Sequence, residues 1–149
     1  MRIVVDGDSC PVKKEIAEAA NRYGVLVIMV SSFDHLLQEA KGIMVIQVDR
    51  SDQSADLYIA NHVQQGDIVV TQDYGLAALA IAKSCHVLSP RGERYHTGNI
   101  DYLLDRRHLH AKARRGGRYA KGPKPFTDLD REQFLTTLLK LLEYMQENV

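Results

Sequence analysis

Asp6 and Asp8 stand one residue apart, directly after the apolar run Ile3-Val4-Val5 and ahead of Ser9-Cys10-Pro11. Two neighbouring carboxylates that must both stay ionised call for a cation between them. Asp73 follows a second apolar run, Ile68-Val69-Val70-Thr71, and Asp56 falls in the first turns of a candidate helix. Brought to one edge, these four carboxylates suit Mg²⁺ or Mn²⁺, which take oxygen ligands and keep waters that a phosphate or a nucleophile replaces. Taken singly, an Asp also fits a helix cap or a turn. Asp6 fits those roles least, because it ends four residues of buried-strand character. Gathered without a cation, such like charges raise pKa values and cost stability.

A second set of residues is basic. Between Asp105 and Pro125 lie Arg106, Arg107, Lys112, Arg114, Arg115, Arg118, Lys121 and Lys124, against the single acid Asp105. Of 19 basic and 19 acidic residues, this leaves 11 and 18 in the rest, so a formal net charge of zero hides a strong division along the chain. Such a segment is either a solvated surface or a holder of a polyanion facing the acidic site. Gly, Tyr119 and His interleaved with Arg favour phosphate contacts, and Tyr95, Tyr102 and Tyr119 are candidates for base stacking or for packing. The six histidines lack the spacing of a zinc site. Cys10 precedes a helix start, where a thiol pKa can fall, yet no Cys-x₅-Arg phosphate loop follows it, which favours packing.

The elements that position these groups follow from apolar spacing. Ile3 to Val5, Val25 to Val30, Ile43 to Val48, Ile68 to Thr71 and His86 to Leu88 read as five strands. Between them Val12, Ile16, Ala19 and Ala20 mark a helix with Pro11 in its first turn, Asp8 or Ser9 as its N-cap and Gly24 as its stop. Phe33 to Ala40 reads as a short helix, Ala55, Ile59 and Val63 as the stripe of another, and Leu76 to Lys83 as a small-residue helix. This alternation predicts an α/β fold with a mainly parallel sheet and helices on both faces. Ile100 to Ala113 can form a helix, and a basic loop is expected at about 105–125, turn-rich from Arg114 on. Thr127 caps a last helix at about 128–147, whose Phe134, Leu138, Leu141, Leu142 and Met145 dock on the sheet. Ligands of open α/β sheets sit beyond the carboxyl ends of the strands, where Asp6, Asp8 and Asp73 fall.

The 149 residues, 45% hydrophobic, fit one domain spanning 1–149. No window is apolar enough for a membrane span and the opening lacks the layout of a signal peptide, so the expected compartment is the cytoplasm and no membrane partner is expected. Two cysteines, Cys10 and Cys85, make no disulfide framework.

Asp6-Gly7-Asp8-Ser9-Cys10-Pro11-Val12-Lys13, Ser54-Ala55-Asp56, the stretch from Gly66 to Ala77, Pro90-Arg91-Gly92, Gly122-Pro123-Lys124-Pro125-Phe126 and Asp130-Arg131 together resemble the YaiI/YqxD family of bacterial proteins. The resemblance covers nearly the whole chain, with Gly7 and Ser9 in place of two alanines usual in the family. That family is grouped with PIN-like domains, which implies a Rossmann-like, three-layer αβα sheet of order 3-2-1-4-5 and an acidic site that cuts RNA with a divalent metal. It implies that Asp6 ends strand one, Asp56 is the helix acid, Asp73 follows strand four and Asp8 is a fourth candidate. The expected function is therefore a ribonuclease or related phosphodiesterase using Mg²⁺ or Mn²⁺, with RNA a better partner than DNA. Lys13, Arg91, Arg106, Arg107, Arg114 and Arg115 are the expected substrate contacts. Two alternatives remain: a haloacid-dehalogenase-like phosphatase, since Asp-x-Asp after strand one also fits an Asp nucleophile with an acid/base two residues on, and a non-catalytic RNA-binding module. The phosphatase reading needs a Gly-Asp pair after a late strand, whereas Gly66-Asp67 precedes its strand.

The charge division generates a test. Replacing Arg114, Arg115, Arg118 and Lys121 by Ala is expected to weaken RNA binding across sequences and to flatten its salt dependence, by roughly one unit of slope per lost phosphate contact. Filter binding over a salt series measures it; an unchanged slope would reduce the segment to a solvated surface.

Overall fold

Ile3, Val4 and Val5 point alternately to opposite sides of a strand, and all three are buried, so the strand that carries them must be covered on both faces. The computed structural model describes residues 1–32, 42–49, 54–115 and 125–147. This strand, β1 (Arg2–Asp6), pairs in parallel with β2 (Leu26–Ser32) on one side and with β4 (Ile68–Val70) on the other. Outside β2 lies β3 (Ile43–Val48); outside β4 lies β5 (His86–Leu88), and β6 (Arg94–Tyr95) closes that edge antiparallel. The order β3-β2-β1-β4-β5-β6 contains the expected 3-2-1-4-5 and adds one strand. A two-residue strand is too short for its periodicity to be read in advance.

The alternation of β1 divides the core. Val4, with Ile28, Val69 and Val87, packs under α2 (Ala55–His62), α3 (Tyr74–Ala82) and α4 (Ile100–Arg115). Ile3 and Val5, with Val27, Ile68 and Val70, pack under α1 (Lys13–Tyr23) and α5 (Asp128–Glu147). The three layers of an αβα sandwich result. From the centre, α1 leads toward β2 on one face while α3 leads toward β5 on the other, as right-handed crossovers require. The chain therefore reverses direction between β1 and β4, and their carboxyl ends flank a crevice.

Three local expectations change. Neither Asp8 nor Ser9 caps α1: residues Gly7–Ser9 form a short 3-10 turn, the N-cap position is Val12 without a side-chain bond, and Pro11 lies ahead of it. The physical reason is competition, because Asp8 is held instead by the end of β2. The helix α4 runs on through Arg115, so Arg114 and Arg115 are helical by backbone, whereas a turn-rich loop was expected there. The expected helix at Phe33 to Ala40 and the Gly-rich part of the basic segment, 116–124, lie outside the described residues. Among the described residues no helix is long and apolar enough to cross a membrane.

Gly24 does close α1, at φ +66°, with its N–H on the carbonyl of Ala20. Thr127 does cap α5: its Oγ1 accepts the Asp130 N–H at 3.2 Å while Asp130 Oδ2 accepts the Thr127 N–H at 3.0 Å, a reciprocal capping box. The buried stripe Phe134, Leu138, Leu141 and Leu142 then lies along the α1 side of the sheet. Its close approach depends on Gly92, at φ +87°, where an added Cβ would stand 2.8 Å from the carbonyl carbon of Gln133 and 2.9 Å from the nitrogen of Phe134. Gly92→Ala is expected to cost about 2–4 kcal/mol, from a disfavoured φ together with a backbone clash. Gly24→Ala, with the same φ problem and open space around it, should cost about 1–2 kcal/mol. Urea denaturation of both variants measures the difference, and equal costs would mean that α5 does not press on the turn.

Candidate functional site

Beyond the buried Ile3, Val4 and Val5, Asp6 ends β1 half-buried, beside the end of β4. There Thr71, itself 2% exposed, donates its Oγ1–H to Asp6 Oδ2 over 3.4 Å and accepts the Asp73 N–H at 3.0 Å. Asp73 in turn caps α3, its Oδ1 accepting the Leu76 N–H at 3.1 Å. One buried hydroxyl thus links the Asp6 carboxylate to the backbone of Asp73. A Thr two residues before an N-cap Asp at a strand end is a recognisable turn signal, but the bond of Thr71 to Asp6 joins residues 65 apart and is not legible locally.

The 3-10 turn brings Asp8 back over the end of β2, where its Oδ1 accepts from the Ser32 N–H at 2.8 Å and from the Ser32 hydroxyl at 3.3 Å. Ser31 and Ser32, both buried, end an otherwise apolar strand. Asp56 sits in the first turn of α2 and accepts from the hydroxyl of Ser54, its N-cap residue. All four carboxylates therefore have one oxygen oriented by a protein donor. Asp73 is a cap and a member of the cluster at once.

The electrostatics tie the four together. Burial raises the Asp6 pKa from the ordinary 3.8 to about 6; the charges of Asp8, Asp56 and Asp73 push the same way, and the Asp8 backbone N–H partly offsets them. The donor set is all oxygen, as a hard divalent ion prefers. It is an open set: among the described residues no three His, Cys, Asp or Glu side chains close around a common point as a ready-made metal cage. Cys10 lies beside it with its pKa pushed up to about 11 by burial, so at neutral pH it is a protonated thiol packed toward α1 and α5.

The expected substrate contacts divide. Lys13 opens α1, half-buried and near enough to Cys10 to act on its thiol electrostatically. Arg106 is exposed on α4; Arg107, Arg114 and Arg115 share that helix and are described by backbone alone. Arg91 has a bracing role: its Nη1 meets Asp130 Oδ2 at 2.8 Å and its guanidinium lies 5.6 Å from the centre of the Phe126 ring. Arg131 takes the same ring at 5.0 Å and donates to the carbonyl of Pro11, so these residues tie the start of α5 to the turn after β1. Tyr95 is buried, Tyr102 is exposed, and Tyr119 lies outside the described residues.

An acidic crevice at the switch point of a Rossmann-like sheet defines the class of protein. The model of the family described as "Uncharacterized BCR, YaiI/YqxD family" matches residues 4–144, and the chain belongs to that family. Similar proteins include UPF0178 proteins of Bacillus velezensis (48% identical, covering 94% of this chain and 84% of that protein) and of Listeria welshimeri (44% identical, 93% and 95%). Another, from Halalkalibacterium halodurans, is 44% identical over 94% of this chain and 89% of its own length. Among solved structures the chain is similar to Rae1 (YacP) of Bacillus subtilis, W164L mutant, at 17% identity and a TM-score of 0.44, covering 97% of this chain and 99% of that one; a likeness so loose carries no argument.

The raised Asp6 pKa has a stability consequence in metal-free protein. Because the folded state holds this proton more tightly than the unfolded chain, stability at this site falls as pH rises from about 4 to about 6 and stays lowered above that. Asp6→Asn, which keeps the size and accepts from Thr71, should therefore be more stable than wild type at pH 7.5 in EDTA, by on the order of 1–3 kcal/mol, and equal to it near pH 4. Melting curves across pH check this. A constant difference at all pH values would sink the electrostatic explanation.

Proposed function

We propose that the chain is a divalent-metal-dependent phosphodiesterase acting on RNA, with Asp6, Asp56 and Asp73 holding Mg²⁺ or Mn²⁺ and Asp8 holding a second ion or orienting water. The observation that carries this reading is the set of four carboxylates around the β1/β4 crevice, each with one oxygen oriented by a protein donor. Such donors aim metal-binding carboxylates. An open set suits Mg²⁺, which keeps several waters and takes one or two carboxylates at a time. An ion held there would lower the pKa of a bound water and offset negative charge developing on the phosphate. The chain does the rest: Thr71 fixes Asp6 beside Asp73, Lys13 and the basic residues of α4 neutralise phosphates, and Arg91 braces the wall beside them.

The haloacid-dehalogenase alternative fares worse. Its late Gly-Asp pair would have to be Gly66-Asp67, and Asp67 precedes β4 and is clamped by Arg2, with Arg2 Nη2 2.7 Å from Oδ2, at the opposite edge of the sheet. A non-catalytic RNA-binding module differs from an enzyme only in turnover. The test is pure protein with Mn²⁺ or Mg²⁺ against labelled RNA, single-stranded DNA and a generic phosphomonoester. Ion-dependent cutting of RNA is expected, abolished by Asp6→Asn, lowered roughly 10–100-fold by Thr71→Val and largely kept by Cys10→Ser. Binding without turnover would leave the module; activity on the monoester alone would favour a phosphatase.

A further inference from the structure

Beside the acidic crevice lies a cavity of about 320 Å³, within the range of small-ligand sites. Gln72, Tyr74, Arg91, Glu93, Tyr95 and Phe126 line it. It opens at the same edge as the carboxylates, since Gln72 directly precedes Asp73. Its chemistry does not suit a phosphate. Its guanidinium, on Arg91, is already committed to Asp130, and Glu93 sets a negative charge at the rim. Among the described residues the exposed Glu93 carboxylate enters no hydrogen bond or ion pair.

What remains is a slot for a flat, uncharged group with hydrogen-bond donors on its edge. Tyr74 stands edge-on to Tyr95, with ring centres 5.6 Å apart at 88°, which anchors Tyr74 while it stays half-exposed to the cavity. Arg91 is held over Phe126 by Asp130, so its plane is fixed as well. Unstacked bases are bound by aromatic rings and guanidinium planes and read at their edges by polar side chains. A carboxylate accepts only, and therefore selects edges rich in N–H. Guanine offers adjacent ring and amino N–H donors, uracil a single ring N–H.

The geometry points to this cavity as the subsite for one unstacked nucleobase of an RNA strand whose phosphate lies at the acidic crevice, with Glu93 reading the donor edge and favouring guanine over uracil. It rests on the RNA reading above and names the part of the substrate that the metal site does not touch. Glu93 is here a specificity residue, remote from the reacting atoms.

Nuclear magnetic resonance titration in EDTA tests it without any cleavage. GMP is expected to shift the amide signals of Gln72, Glu93 and Tyr95 saturably, roughly tenfold more tightly than UMP, and ribose 5-phosphate to leave them in place. Glu93→Gln, at an exposed position, should bring GMP and UMP to similar affinity, and Tyr74→Leu should weaken both alike. A response to ribose 5-phosphate equal to that of GMP, no saturable shift at these amides in folded protein, or an unchanged preference in Glu93→Gln would each overturn the assignment. Guanine binding by a protein that leaves RNA uncut in Mn²⁺ would support the subsite and remove only the phosphodiesterase reading.

Discussion

The structure depends on the burial of β1 on both faces. A strand in that position must satisfy its backbone through neighbours on either side, so β2 and β4 both pair with it. Parallel pairing on both sides forces crossovers in opposite directions, and a single handedness then places them on opposite faces. The crevice between the ends of β1 and β4 is a by-product of that constraint. So is the environment of Asp6, which leaves the core one residue after Val5, itself fully buried. A carboxylate there is partly desolvated before any neighbour is considered, which is why burial leads the causes of its raised pKa.

Around this position the protein accepts a local cost and limits it with small donors. Thr71, Ser32 and Ser54 each engage one oxygen of a carboxylate, and their short side chains leave little freedom of direction. Hydrogen bonds to charged acceptors are stronger than neutral ones, so these contacts hold orientation as well as offsetting repulsion.

The last helix contributes more than core. Through Gly92 the turn after β5 lies against the backbone of α5, and through Arg91, Asp130, Phe126 and Arg131 the start of that helix reaches Pro11 beyond β1. The carboxyl edge is thereby walled on one side by the C-terminal part of the chain. Arg91, which its charge marks as a phosphate ligand, has become part of that wall because an acidic partner sits within ion-pair distance.

The sequence by itself determined the layers: continuous apolar runs for strands covered on both faces, the 3.6-residue spacing of Ile16, Ala19 and Ala20 or of Phe134, Leu138 and Leu141 for the helices, and Gly24 and Thr127 for two of their ends. It also singled out Asp6, Asp8, Asp56 and Asp73, because acids after strands and at helix starts are local features. Asp56 and Asp73 bond within their own helix starts, but only the tertiary structure decided what Asp6 and Asp8 are bonded to. Asp8 looked like the cap of the helix that follows it and belongs instead to Ser32, 24 residues on; Thr71 looked like the end of a strand and links Asp6 to Asp73. The same holds for Arg91 and for β6, whose pairing is visible only against Val87 and Leu88. Periodicity and capping are written along a few turns of chain, whereas a hydrogen bond between residues far apart depends on the register of a sheet that no single segment contains.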